Sequence, residues 1–131
     1  MNIKFRIWDG KKYYYPKSTK GEFNHYLQFG NEEFWLYDAE GKLMTCTSQG
    51  GKVEQFTGHT DKNGKEIFEG DCLKWKLDPM YGECEIVRGK GHFYMDGYPL
   101  EENGMMNENF FSKQTEVVNN VNQEALAKDV L

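Results

Sequence analysis

A chain of 131 residues suits one domain of ordinary size and is long enough to bury a core without disulfides or metals as staples. Its net charge of −5, with arginine only at Arg6 and Arg88, argues against non-specific nucleic-acid binding, which is driven by cationic side chains displacing counterions from phosphate. No apolar run nears the roughly 20 residues of a membrane-spanning helix, and an aromatic content of 15% excludes a disordered chain.

The amino-terminal segment is broken by Lys4, Arg6 and Asp9, so it lacks the continuous apolar stretch of a secretory signal and a cytoplasmic location is expected. Cys46, Cys72 and Cys84 are odd in number, widely spaced and without a C-x-x-C pair. They read as small hydrophobes on strands in a reducing compartment.

Taken in chain order, the apolar pattern has period two. Ile3, Phe5 and Ile7 alternate with Lys4, Arg6 and Trp8, which predicts a strand with one buried face. Asp9-Gly10 turns the chain into a return strand, Lys12 to Tyr15, closed by Pro16. Lys17 to Glu33 has aromatics but no period. Strands are then expected at Phe34–Tyr37, Leu43–Thr47 and Val53–Thr57, separated by Asp38–Gly41 and by Gln49–Lys52.

Asn63-Gly64 predicts a two-residue hairpin turn of type I′, both of whose central positions need positive φ. After the turn Glu69-Gly70-Asp71 comes the clearest strand, with Leu73, Trp75 and Leu77 on one face and Lys74 and Lys76 on the other. Asp78 to Gly82 ends it. Cys84 and Ile86 alternate with Glu83 and Glu85, and Gly89-Lys90-Gly91 leads into His92–Met95 to complete a meander. Asp96 to Asn109 reads as a polar loop, Thr115 to Val121 as a closing strand, and Gln123 to Lys128 as a short helix capped by Asn122.

Many short strands with Gly-rich turns predict a mainly β fold, a small barrel or strongly bent sheets, ending in a short helix. One domain over 1–131 is the economical reading, with Gly50-Gly51 the place for a subdomain junction.

Three stretches together resemble the YopX family of phage and prophage proteins. They are the strand Ile3 to Asp9, the block Gln55 to Asp71 and the strand Glu116 to Val121. The central block carries the motif residues Thr57, Gly58, Asp61, Asn63, Gly64, Ile67, Glu69, Gly70 and Asp71. Asn119 stands where the family usually has glycine, and the family's Asn-Pro pair is missing after Asn122. The resemblance implies a cytosolic protein of a bacterial host, mostly β, with no established reaction and no catalytic residues to carry over.

Candidate chemistry is concentrated in that block. Asp61, Asn63, Glu66, Glu69 and Asp71 offer the oxygens a hard divalent cation prefers, and a small metal-dependent hydrolase is the alternative function they suggest. The calcium-loop pattern fails, however: Gly64 falls at the fourth position and Cys72 at the twelfth, where a glycine at the sixth and a glutamate at the twelfth belong. The same residues suit turns. Zinc at His59, His92, Cys72 and Cys84 would need tertiary convergence, and so would a Cys/His nucleophile. No nucleotide-binding fingerprint is present, and no cofactor is expected.

Tyr13, Tyr14 and Tyr15 cannot all face one core on a strand. With Trp35 they form the candidate binding surface, for a protein partner or a second copy of the chain. Stacking of single-stranded bases on Tyr13–Tyr15, Trp8 and Trp35 would use the neighbouring lysines 11, 12, 17 and 20. The leading expectation is a non-enzymatic accessory protein that binds another macromolecule.

Overall fold

The computed structural model describes residues 4–16, 25–89, 92–95, 98–99 and 108–123. The chain is mostly β, and its contacts divide it into two compact units: Ile3–Gln55, and Phe56–Leu131 with Met1–Asn2.

In the first unit, β1 (Phe5–Trp8) pairs antiparallel with β2 (Tyr13–Tyr14), with Ile7 opposite Tyr14. Asp9 makes the turn tight, because its Oδ1 accepts the amides of Lys11 and Lys12 at 2.8 and 3.0 Å. Next, β3 (Tyr26–Gly30) pairs with β4 (Glu33–Tyr37), and β4 with β5 (Leu43–Cys46). A 3-10 turn at Thr47–Gln49 follows. The other edge of β1 takes the first four residues of β6 (Lys52–Thr60), from Phe5 opposite Gln55 to Trp8 opposite Lys52. Ile7, Phe34 and Leu36 form this unit's core, with Tyr14, Leu27, Met44 and Val53 packed against it.

The type I′ turn is in this unit and not at Asn63-Gly64. Asn31 and Glu32, between β3 and β4, have φ of 49° and 63°. Strand β3 lies within the segment that showed no period. Its Leu27 is half-buried while both Gln28 and Phe29 are exposed, so no alternation marks it.

One buried face was expected for β1, but both faces are covered. Arg6 and Trp8 are buried, as Ile7 is. Arg6 is accommodated by Glu54 on β6, whose Oε1 accepts from Arg6 Nε at 2.8 Å and from the Tyr13 hydroxyl at 2.9 Å. Burying a guanidinium demands such a partner.

In the second unit, the remainder of β6 pairs with β7 (Glu66–Phe68), from Phe56 opposite Phe68 to Thr60 opposite Glu66. Beyond it run β8 (Asp71–Leu77), β9 (Met80–Gly89), β10 (His92–Met95) and β11 (Tyr98–Pro99). Then come the helix α1 (Glu108–Gln114) and β12 (Thr115–Asn120). The five-stranded sheet has the order β11-β10-β9-β8-β12. Its core is Ile67, Leu73, Ile86, Met95, Phe110 and Phe111, flanked by Trp75, Leu77, Cys84, Phe93 and Val117. The expected alternation on β8 and the meander are present. Strand β9 begins at Met80, however, directly after a turn at Asp78-Pro79, and is longer than anticipated.

Helix α1 is not announced by the sequence pattern. At seven residues it is too short to display a 3.6-residue period, yet it contributes two core phenylalanines. After β12, the described helical residues start at Val121, and Asn120 Oδ1 accepts the Gln123 amide at 2.9 Å. The cap is therefore Asn120, two residues before Asn122; residues 124–128 lie outside the described residues.

Candidate functional site

The block from Gln55 to Asp71 is built from backbone demands. Between the two β6–β7 pairs, β6 has two more residues than β7, a bulge that Gly58 allows with φ of 91°. Thr57 secures it: its hydroxyl donates to the Ile67 carbonyl at 2.7 Å and accepts the His59 amide at 3.2 Å.

The loop after β6 is a three-residue connection with glycine in the left-handed region, not the expected two-residue turn. The Asp61 amide donates to the Lys65 carbonyl, and the Gly64 amide to the Asp61 carbonyl. Only Gly64 has positive φ, at 79°. Asp61 Oδ1 accepts the amides of Asn63 and Lys65, each at 2.9 Å. Asp38-Ala39-Glu40-Gly41-Lys42 makes the same turn with the same bonds, so this is turn chemistry used twice.

Asp61 has a further role. Its Oδ2 accepts the Val117 amide at 2.9 Å, while the Lys62 amide donates to the Thr115 carbonyl at 3.0 Å. The loop thus covers the outer edge of β12. Its carboxylate stands where a neighbouring strand would present a carbonyl.

The remaining motif carboxylates also have structural partners. Asp71 is fully buried and its Oδ2 accepts the Phe68 amide at 2.9 Å. Glu69 lies 3.6 Å from Arg88 Nε, and Glu66 is half-buried opposite Thr60. Gly70, at φ of 86°, donates to the Ile86 carbonyl and accepts from the Val121 amide. Among the described residues, no three His, Cys, Asp or Glu side chains gather as metal ligands would.

Cys72 and Leu73 are consecutive on β8, and Leu73 is the residue opposite Cys84. Cys72 and Cys84 therefore belong to opposite faces of the sheet. His59 stacks on Phe111 at 4.5 Å, and the side chain of His92 lies outside the described residues. Asn119 follows a bulge at Val118 but is not among the residues of positive φ. Its Oδ1 accepts the Asn120 amide instead.

The tyrosines divide as strand alternation requires. Tyr14 packs against the core, with His25 5.1 Å away and Lys12 over its ring. Tyr13 lies 4.8 Å from Trp8 with the Arg6 guanidinium 4.2 Å from its centroid. Tyr15, 6.5 Å from Tyr13, is 58% exposed. Trp35 is half-buried on β4 and lies over Gly30. Of the four expected surface residues, Tyr15 is the exposed one. Alternation did not single out Phe29, 57% exposed, or Tyr81, 81% exposed beside Met80.

Among the grooves of the described residues are two lined by large exposed side chains. One, of about 460 Å³, is lined by Trp75, Tyr81, Lys62, Lys74, Glu83 and Glu116, among others. The other, of about 360 Å³, lies beside the β3–β4 turn, with Phe29, Phe34, Val53, Glu32 and Glu33 in its walls.

A family model described as YopX protein matches residues 4–126. Among solved structures, the chain is similar to protein yopX from Bacillus subtilis. The identity is 18% and the TM-score 0.62, over 94% of this chain and 95% of that one. It is also similar to protein EF1440 from Enterococcus faecalis, with 20% identity and a TM-score of 0.58 over 95% and 96% of the two chains. No curated protein matches the chain.

Proposed function

The chain belongs to the YopX family, and we propose that it is an accessory protein of phage or prophage origin that works in the host cytoplasm by binding another macromolecule. A protein, a second copy of the chain included, is the partner in this reading. The observation that carries it is where the fold leaves its large side chains. Tyr81, Tyr15, Phe29 and Met80 are each more than half exposed. Aromatic residues and methionine are the types enriched at the cores of protein interfaces.

The acidic motif supports the reading from the other side, since its aspartates accept backbone amides. The test is affinity capture of the tagged chain from an induced or infected host lysate, run beside a Tyr15→Ser/Tyr81→Ser variant. A stoichiometric partner retained by the wild type and lost by the variant is expected. Absence of both partner and self-association would count against the proposal.

A further inference from the structure

The groove beside the β3–β4 turn has an apolar floor and an acidic rim. Phe34 and Val53 form the floor, and Phe29 stands at the wall with its ring largely open to water, 5.3 Å from Phe5. Glu32 and Glu33 are exposed, and no ion pair engages either of them among the described residues. Two free carboxylates beside an exposed aromatic face suit a side chain with a positive head and an apolar stem. Arginine fits best, since its planar guanidinium stacks on aromatic rings and pairs with carboxylates.

Glu32 is also an unexpected residue for its turn. A two-residue type I′ turn takes glycine at its second position, whereas here a glutamate sits at φ of 63°. The larger groove carries charges of both signs and so has no acidic rim. Its Lys62 lies 3.4 Å from Glu116 and its Lys76 3.4 Å from Asp78, and Lys74 is in register with Glu83 and Glu116.

We infer that the groove formed by Phe29, Phe34 and Val53 under Glu32 and Glu33 receives an arginine from a basic, partly apolar segment of a partner protein. This rests on the binding reading above and specifies the chemistry of the partner. The chain's net charge of −5 favours such an encounter at long range.

The test is a titration of the full chain with acetyl-Leu-Arg-Leu-amide, followed by amide chemical shifts, with acetyl-Leu-Glu-Leu-amide as control. Shifts should be confined to Phe29–Phe34 and Val53, should appear with the arginine peptide alone, and should weaken with salt. Glu32→Gly/Glu33→Gln should lower the affinity about tenfold, the loss of roughly 1.4 kcal/mol from two partly exposed charge pairs, while keeping the folded spectrum. No shifts at these residues, equal response to the glutamate peptide, or undiminished affinity in the variant would each overturn the inference. Lysate capture by the same variant separates the two readings: a partner retained at wild-type level overturns the groove and leaves the binding reading standing.

Discussion

Asp61 and Val117, 56 positions apart in sequence, are joined by a 2.9 Å hydrogen bond from a backbone amide to a carboxylate oxygen. The same carboxylate accepts two amides of its own turn and is 2% exposed. It shapes a loop and covers the edge of β12.

Asp61→Ala should therefore be costly. Three amides lose a charged acceptor, and a loss of about 3 kcal/mol or more is expected. Asp61→Asn retains an oxygen for the turn but can set an N–H against the Val117 amide, for about 1–2 kcal/mol. Urea denaturation of both variants measures this, and a midpoint unchanged in Asp61→Ala would refute it.

The Arg6–Glu54 pair predicts a different pattern. Glu54→Ala removes the carboxylate that Arg6 and Tyr13 share and should cost about 3–5 kcal/mol. The double variant Arg6→Met/Glu54→Leu removes both charges and should be far less destabilised. A double-mutant cycle reads the difference, and strict additivity would show the pair to be uncoupled.

Glu32→Gly should stabilise the fold. Relief of left-handed strain, offset by the freedom glycine gains when unfolded, leaves about 0.5–1 kcal/mol. A melting temperature a few degrees higher is the expected readout. Gly51→Ala should do the opposite by about 1–3 kcal/mol. Its new Cβ would lie 2.9 Å from Thr45 Oγ1 and 3.1 Å from the Cys46 carbonyl.

Asp9 gives a pH prediction. Partial burial pushes its carboxyl upward. The Lys12 and Lys11 amides, the Tyr14 hydroxyl and the Lys12 charge together outweigh this and hold it below the ordinary 3.8. A depressed carboxyl stabilises the fold above its unfolded value and loses that contribution as pH falls through its folded one. The stabilities of wild type and Asp9→Asn should differ at neutral pH and converge below about pH 3.8. Parallel stability profiles down to acid unfolding would contradict the assignment.

What could be read from the sequence was what is local. Asp9, Asp38 and Asp61 announce turns because their side chains bond amides within four residues. The alternation of Leu73, Trp75 and Leu77 shows because one face of β8 packs on the core. Strand β3 was hidden because Phe29 points outward where an apolar residue is expected inside. Helix α1 was hidden by its shortness. The burial of Arg6 depends on Glu54, 48 positions away, and the second role of Asp61 depends on Val117. Spacing along the chain reveals neither partner. Among the exposed aromatics, Tyr15 is marked by its run of three tyrosines, whereas Phe29 and Tyr81 are exposed by tertiary packing that no pattern announces.

The aspartates of the Gln55–Asp71 block accept backbone amides as structural braces, and a role of this kind requires no metal. Thermal melting of the wild-type protein with and without millimolar Mg²⁺, Mn²⁺ or Ca²⁺ tests it most directly, because a site present only in the folded state must stabilise by mass action. An unchanged melting temperature is expected with each ion. A rise of several degrees that saturates with concentration would contradict it.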